Sequence, residues 1–162
     1  MNHHIRKFSF IGVIFVIVLA GSCHYYNLEQ QLSSDHAEFI NKVRYIITKK
    51  ENRLFLELPD TEKDKFIQEF WKKRDPYPTT EENEFKIEYH NRIEQANELF
   101  ISEGRPGWVT DRGRIYILFG PPMDRITYPQ RAMGQCQETW YYGNFPVVFV
   151  DRRCTGKYEL VT

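Results

Sequence analysis

The feature that most constrains the fold of this 162-residue chain is a change of hydrophobic period near residue 105. Before it, apolar residues recur at helical spacing. Phe39, Ile40, Val43, Ile46 and Ile47 form one set, Phe66, Ile67, Phe70 and Trp71 a second, and Phe85, Tyr89, Ile93, Ala96 and Phe100 a third. Each set falls on one face of a helix. After it, short apolar and aromatic runs are separated by Gly and Pro, the pattern of strands. Helices first and strands afterwards predict an α+β domain, with N-terminal helices packed on a mainly antiparallel C-terminal β-sheet.

Local signals place the elements. Asp35 followed by Glu38 predicts a capping box for the first helix. Residues 54–58 suggest a short apolar connection ending at Pro59, with a second helix starting at Asp60 or Thr61. Lys72, Lys73 and Arg74 suit the negative end of that helix. Asp75-Pro76 stops it, because the residue before proline avoids helical geometry. Thr79 and Glu82 suggest the capping box of a long third helix, and Gly104 its left-handed stop. Residues 115–119 are apolar on both alternating faces, which predicts a central strand covered on both sides. Gly120-Pro121-Pro122 ends it. A short strand over 125–128, a loop over 129–135, a hairpin of 138–142 with 147–150 about Gly143-Asn144, and a closing strand over 157–161 complete the order.

The start of the chain has a different character. Arg6 and Lys7 precede an uncharged apolar run, and Leu19-Ala20-Gly21-Ser22 leads into Cys23. Positive flank, apolar stretch and small residues are the three parts of a secretory leader. With the cysteine just after the small residues, the segment resembles a bacterial lipoprotein signal. The resemblance implies cleavage after residue 22 and a lipid on Cys23. An uncleaved anchor is a second reading, but a spanning helix needs about 20 apolar residues. An ordinary leader with an incidental cysteine is a third. The expected organisation is a signal peptide over 1–22, a polar leash over 23–34, and a domain over 35–162. Fully extended, the leash reaches about 35 Å, so the domain works close to the membrane. His24 after the cysteine, in place of aspartate, points to the periplasmic face of the outer membrane.

Charge narrows the partners. The chain balances 22 basic against 22 acidic residues. Losing Arg6 and Lys7 with the leader leaves the remainder slightly acidic, and no long basic block stands out. That argues against nucleic acid and against a polybasic membrane patch. Membrane attachment through the lipid and contact with another envelope protein are the expected associations. His24, His36 and His90 lack metal-ligand spacing, and no nucleophile elbow or Cys/His pair is present. Neither a catalytic residue nor a metal or cofactor is assigned. In an oxidising envelope Cys136 and Cys154 are expected to pair. A hairpin centred near Asn144 sets Cys136 opposite Arg152, with Cys154 just beyond.

Gly107-Trp108-Val109-Thr110-Asp111, followed by Arg112-Gly113-Arg114-Ile115-Tyr116-Ile117 and Phe119-Gly120-Pro121-Pro122, is the most distinctive string. Upstream stand Phe70-Trp71, Arg74-Asp75-Pro76, Asn83-Glu84, Tyr89, Arg92 and Ala96-Asn97. Downstream stand Trp140-Tyr141-Tyr142, Phe149-Val150-Asp151 and Gly156-Lys157-Tyr158. On these residues the chain, from Asp35 to Thr162, resembles the GWxTD domain family of bacterial envelope proteins. The resemblance implies an envelope location and no defined activity. Met123 stands where it leads one to expect an acid, with Asp124 following.

Two readings of this string stand together. Trp108, Thr110, Asp111, Arg112 and Arg114 could line a pocket for a polar ligand. The same residues could build a tight approach to the central strand, with Asp111 accepting the Gly113 amide and Gly113 supplying a positive φ. Glu84, Glu88 and Arg92 stand four apart on the third helix, where their heads can meet as an ion-paired face. In the final hairpin, alternation sends Trp140 and Tyr142 to one face and Tyr141 to the other, making Tyr141 the candidate partner-facing aromatic. The expected function is therefore a lipid-anchored periplasmic interaction or assembly module without catalysis. The alternatives are an envelope enzyme or small-ligand binder with its site at Trp108, Asp111, Arg112 and Arg114, or a purely structural platform.

Overall fold

The computed structural model describes residues 27–101, 105–128 and 134–161. The predicted leader, Cys23, the Gly104 stop and residues 129–133 lie outside them. In chain order the elements are α1 (Ser34–Val43), α2 (Lys49–Glu57), α3 (Asp60–Lys72), α4 (Glu84–Leu99), a 3-10 turn (Gly107–Val109), α5 (Asp111–Phe119), β1 (Asp124–Tyr128), β2 (Cys136–Tyr142), β3 (Phe145–Asp151) and β4 (Glu159–Val161). The architecture is α+β. The chain divides between Gln68 and Glu69 into two compact units.

In the first unit, residues 27–30 of the stretch expected as a polar leash are helical, and Leu28 and Leu32 are half-buried. Helix α1 is capped by Ser33, whose hydroxyl accepts the His36 amide at 3.3 Å. Asp35 instead sits in the first turn, where its charge suits the positive helix end. The helix stops at Val43, short of Ile46 and Ile47. Residues 54–58, expected as a connection, belong mostly to α2. Its start carries a full capping box: Glu51 N donates to Thr48 Oγ1, and Thr48 N donates to Glu51 Oε2. That pair turns Phe55 and Leu56 into the core. The Phe55 ring lies 5.3 Å from both Phe39 and Phe66, a burial worth on the order of 2–3 kcal/mol. Lys63 is buried yet satisfied, its Nζ donating to Leu58 O at 2.5 Å and Asp60 Oδ1 at 3.0 Å.

In the second unit, α4 is capped by Asn83, not by Thr79. Asn83 Oδ1 accepts the Lys86 amide at 2.8 Å, and Asn83 Nδ2 donates to Trp71 O at 2.8 Å. One side chain thus caps the helix and fastens it to the preceding turn. Helix α4 buries Tyr89, Ile93 and Ala96. The four strands form an antiparallel meander in the order β1-β2-β3-β4. Tyr142 pairs with Phe145 across Gly143-Asn144, so Cys136 faces Asp151 rather than Arg152. Gly143 takes φ +63°, which the two-residue turn requires. Trp140, Val147 and Phe149 are buried on one sheet face. There Trp140 meets Phe100 at 5.6 Å and Phe149 at 4.8 Å.

Residues 115–119 are a helix, not the expected central strand. Ile115, Tyr116 and Ile117 are all buried. Leu118 and Phe119 are exposed, so the run is not covered throughout, and so short an apolar run carries no period that separates strand from helix. What decides is Thr110, whose hydroxyl accepts the Gly113 amide and starts α5. Gly120, at φ +79°, ends it.

Candidate functional site

The Gly107–Arg114 string forms a junction between two helices and the sheet. Gly107 lies hard against α4: a Cβ there would stand 2.1 Å from the Ala96 carbonyl oxygen. Only a residue without a side chain allows that approach. The Trp108 amide donates to Asn97 Oδ1 at 3.1 Å, a second tie to α4. Thr110 is buried, and its hydroxyl donates to Gly107 O at 2.7 Å while accepting from Gly113 N at 3.0 Å. Gly113 is helical and packs on the 3-10 turn, a Cβ there falling 2.1 Å from Gly107 O. The local bond expected from Asp111 to Gly113 is therefore made by Thr110, and Gly113 is needed for contact rather than for positive φ. Asp111 reaches further. Its Oδ2 accepts the Leu160 amide of β4 at 2.8 Å, and Arg114 Nη2 lies 3.5 Å from its Oδ1.

Arg112 turns inward. Its Nη1 donates to Glu138 Oε2 at 3.2 Å and its Nη2 to Gly156 O at 3.2 Å. The guanidinium lies 5.1 Å from the Phe100 ring centroid and 4.3 Å from that of Tyr158. Glu138, 1% exposed, also accepts Arg125 Nε at 2.5 Å, Arg125 Nη2 at 3.0 Å and the Trp140 indole N–H. One buried carboxylate thus joins α5, β1 and β2. Desolvating an ion pair is offset only when its oxygens are well satisfied, and here three side chains share them. Sequence reasoning missed Glu138. The available signal was an acid two residues before Trp140, on the face alternation assigns to the core.

The predicted ligand set is thus dispersed. Asp111 serves β4, Arg112 serves Glu138, and Arg114 serves Asp111. Trp108 borders a shallow depression of about 400 Å³ with Asn97, Glu98, Ile101, Pro106 and Gly107. On α4, Arg92 Nε pairs with Glu88 at 2.7 Å, and its Nη1 donates to Ile117 O at 3.3 Å. Glu84 stands apart from that pair, with Oε2 buried and unpartnered among the described residues. Arg74 lies 3.6 Å over the Phe70 ring.

At the open end of the hairpin, Cys136 and Cys154 form a disulfide with Cα atoms 5.2 Å apart. At the turn end, the Tyr142 hydroxyl donates to Gly120 O at 2.9 Å. Burial, then the neighbouring Tyr116, push its pKa up to about 12, against the lowering pull of Arg92. Burial, then Glu138, also raise Tyr158. Tyr141 is half-buried on the opposite face, between Asp124 and Pro146. Around this end Phe119, Met123 and Phe145 are 54%, 83% and 59% exposed. The Phe119 ring lies 5.6 Å from Tyr142, Phe145 pairs with Tyr142, and the Met123 amide donates to Tyr141 O. Among the described residues, no three His, Cys, Asp or Glu side chains cluster as metal ligands, and no helix is long and apolar enough to cross a membrane.

The sequence model of the GWxTD domain family matches residues 28–150, more than half of the chain. The chain belongs to the GWxTD domain family. No curated protein and no solved structure matches it.

Proposed function

We propose that the protein is a lipid-anchored interaction or assembly module of the bacterial cell envelope, acting without catalysis at the periplasmic face of the outer membrane. The observation that carries the reading is the apolar cluster at the hairpin turn. Phe119, Met123 and Phe145 are each more than half exposed; Phe119 ends α5 and Phe145 begins β3, while Met123 in the connector before β1 is tied by its amide to Tyr141 O. Rigid apolar groups presented together to solvent are the makings of a protein contact. The leader resemblance supplies the address and the lipid at Cys23.

The test is crosslinking and capture of the tagged chain from native membranes, beside Phe145→Ser, Met123→Gln and Tyr141→Ala variants with unchanged melting. The reading expects one envelope protein captured by the native chain and lost with Phe145→Ser. Equal capture by all four chains would remove the proposed surface. For the anchor, Cys23→Ala should release the chain from membranes and abolish acyl labelling, and unchanged size and membrane association would contradict it. A second reading, an envelope enzyme or small-ligand binder, is favoured by the depression beside Trp108. Asp111, Arg112 and Arg114 do not line that depression, so such a ligand would be held mainly by Trp108 and its α4 neighbours.

A further inference from the structure

We propose that the connector between β3 and β4, residues 152–157, is a binding site for a phosphate group, either free or carried as the head group of an anionic lipid. Arg152, Arg153 and Lys157 place three cations in six residues, and all three side chains are exposed. With Thr155 they line a cleft of about 370 Å³, bounded by Asp151 and Glu159. Among the described residues none of the three cations forms an ion pair.

Asp151 keeps its negative charge beside them, but its oxygens are occupied by backbone amides and, among the described residues, form no ion pair with the three cations. It is 2% exposed, Oδ1 accepts the Arg153 amide at 3.1 Å, and Oδ2 accepts the Gly156 amide at 2.6 Å. Glu159 is the other acid of the lining, so three cations stand against two carboxylates and the cleft keeps a net positive charge. Two guanidinium groups, an ammonium and a hydroxyl offer more donors than the two oxygens of a carboxylate accept. The oxygens of a phosphate match them better, and arginine forks favour that geometry.

The loop is held in shape independently of any ligand. Cys154, at φ +52°, is bridged to Cys136 of β2. Gly156, at φ +90°, gives its carbonyl oxygen to Arg112 Nη2 at 3.2 Å. Donors on a fixed loop lose less conformational entropy on binding than donors on a free one. The cleft is at the opposite end of the β2–β3 hairpin from the apolar cluster, so this inference does not depend on the proposed partner surface.

The test uses the full chain in neutral detergent, with amide NMR shifts as the readout. Inorganic phosphate is titrated against chloride at matched ionic strength, and micelles doped with phosphatidylglycerol form a second arm. Saturable shifts of residues 152–157 with phosphate but not chloride are expected. In an Arg152→Gln/Arg153→Gln/Lys157→Gln variant, affinity should fall by about tenfold or more as three charge-assisted contacts go. Phosphatidylglycerol that moves the same amides and competes with phosphate identifies a lipid head group, while a response to phosphate alone identifies the free ion. A non-saturating drift in both arms, or equal responses in the two proteins, overturns the proposal. Should the triple variant melt lower than the native chain, Arg153→Gln alone carries the comparison.

Discussion

Gly107→Ala should be among the most damaging single-methyl additions in this chain. The new Cβ would stand 2.1 Å from Ala96 O, 3.0 Å from Ala96 C and 3.0 Å from Asn97 Cα. Favourable contacts lie near 3.5 Å, so the turn must retreat by about 1.4 Å from α4. The opposing atoms are backbone and cannot rotate away. Overpacking of this type costs about 1–3 kcal/mol. The retreat also moves the Gly107 carbonyl, which accepts both the Thr110 hydroxyl and the Thr110 amide. A weakened cap on α5 adds about 1 kcal/mol, for a total of about 3 kcal/mol. Gly143→Ala is the control: it has positive φ but open space around it, and should cost only about 1 kcal/mol. Because Gly113 packs on the same carbonyl, Gly107→Ala and Gly113→Ala together should lose less than the sum of the two. Urea unfolding followed by tryptophan fluorescence reads the four variants against the native chain. A Gly107→Ala loss no larger than that of Gly143→Ala would refute the close-approach argument.

Other expectations follow from the same junction and its surroundings. Glu138→Gln leaves the buried Arg112 beside a neutral amide and should cost about 3 kcal/mol, measured by denaturant unfolding; a loss below 1 kcal/mol would contradict the network. Cys136→Ser/Cys154→Ser opens a crosslink of sequence separation 18 and should cost about 3 kcal/mol by chain entropy, seen as a lower melting temperature in oxidised protein. The Tyr142 pKa is raised from its ordinary 10 to about 12 in the fold, so its contribution is whole below pH 10 and is lost as pH rises toward 12. That span corresponds to about 2.7 kcal/mol, reduced to about 1 kcal/mol by solvent around the half-buried ring. Tyr142→Phe should therefore flatten the fall of stability between pH 10 and 12 in a urea series.

Much of the architecture was legible because it rests on long periodic segments. The faces of α1, α3 and α4 follow from apolar spacing, and the hairpin follows from Gly143-Asn144 between aromatic runs. What escaped was decided by contacts distant in sequence. The cap of α4 fell to Asn83 because its amide group also reaches Trp71 O, which no local pattern records. Helix α5 was hidden because its apolar run is short, 115–119, leaving too little period to separate strand from helix. The motif's acid was assigned a local turn, whereas Leu160, far along the chain, donates to it. Glu138 was invisible as a partner of Arg112 until the sheet register set it beneath α5.

The Gly107–Arg114 string builds the fold, and the proposed partner surface lies at the hairpin turn instead. Asp111→Ala tests this most directly, with melting temperature and capture of the crosslinked partner measured on the same preparation. Losing the Leu160 bond and the first-turn charge should cost about 1–2 kcal/mol and lower the melting temperature. Capture below the melting transition should be unchanged. Unchanged melting with lost capture would contradict this division of roles and make Asp111 part of the contact itself.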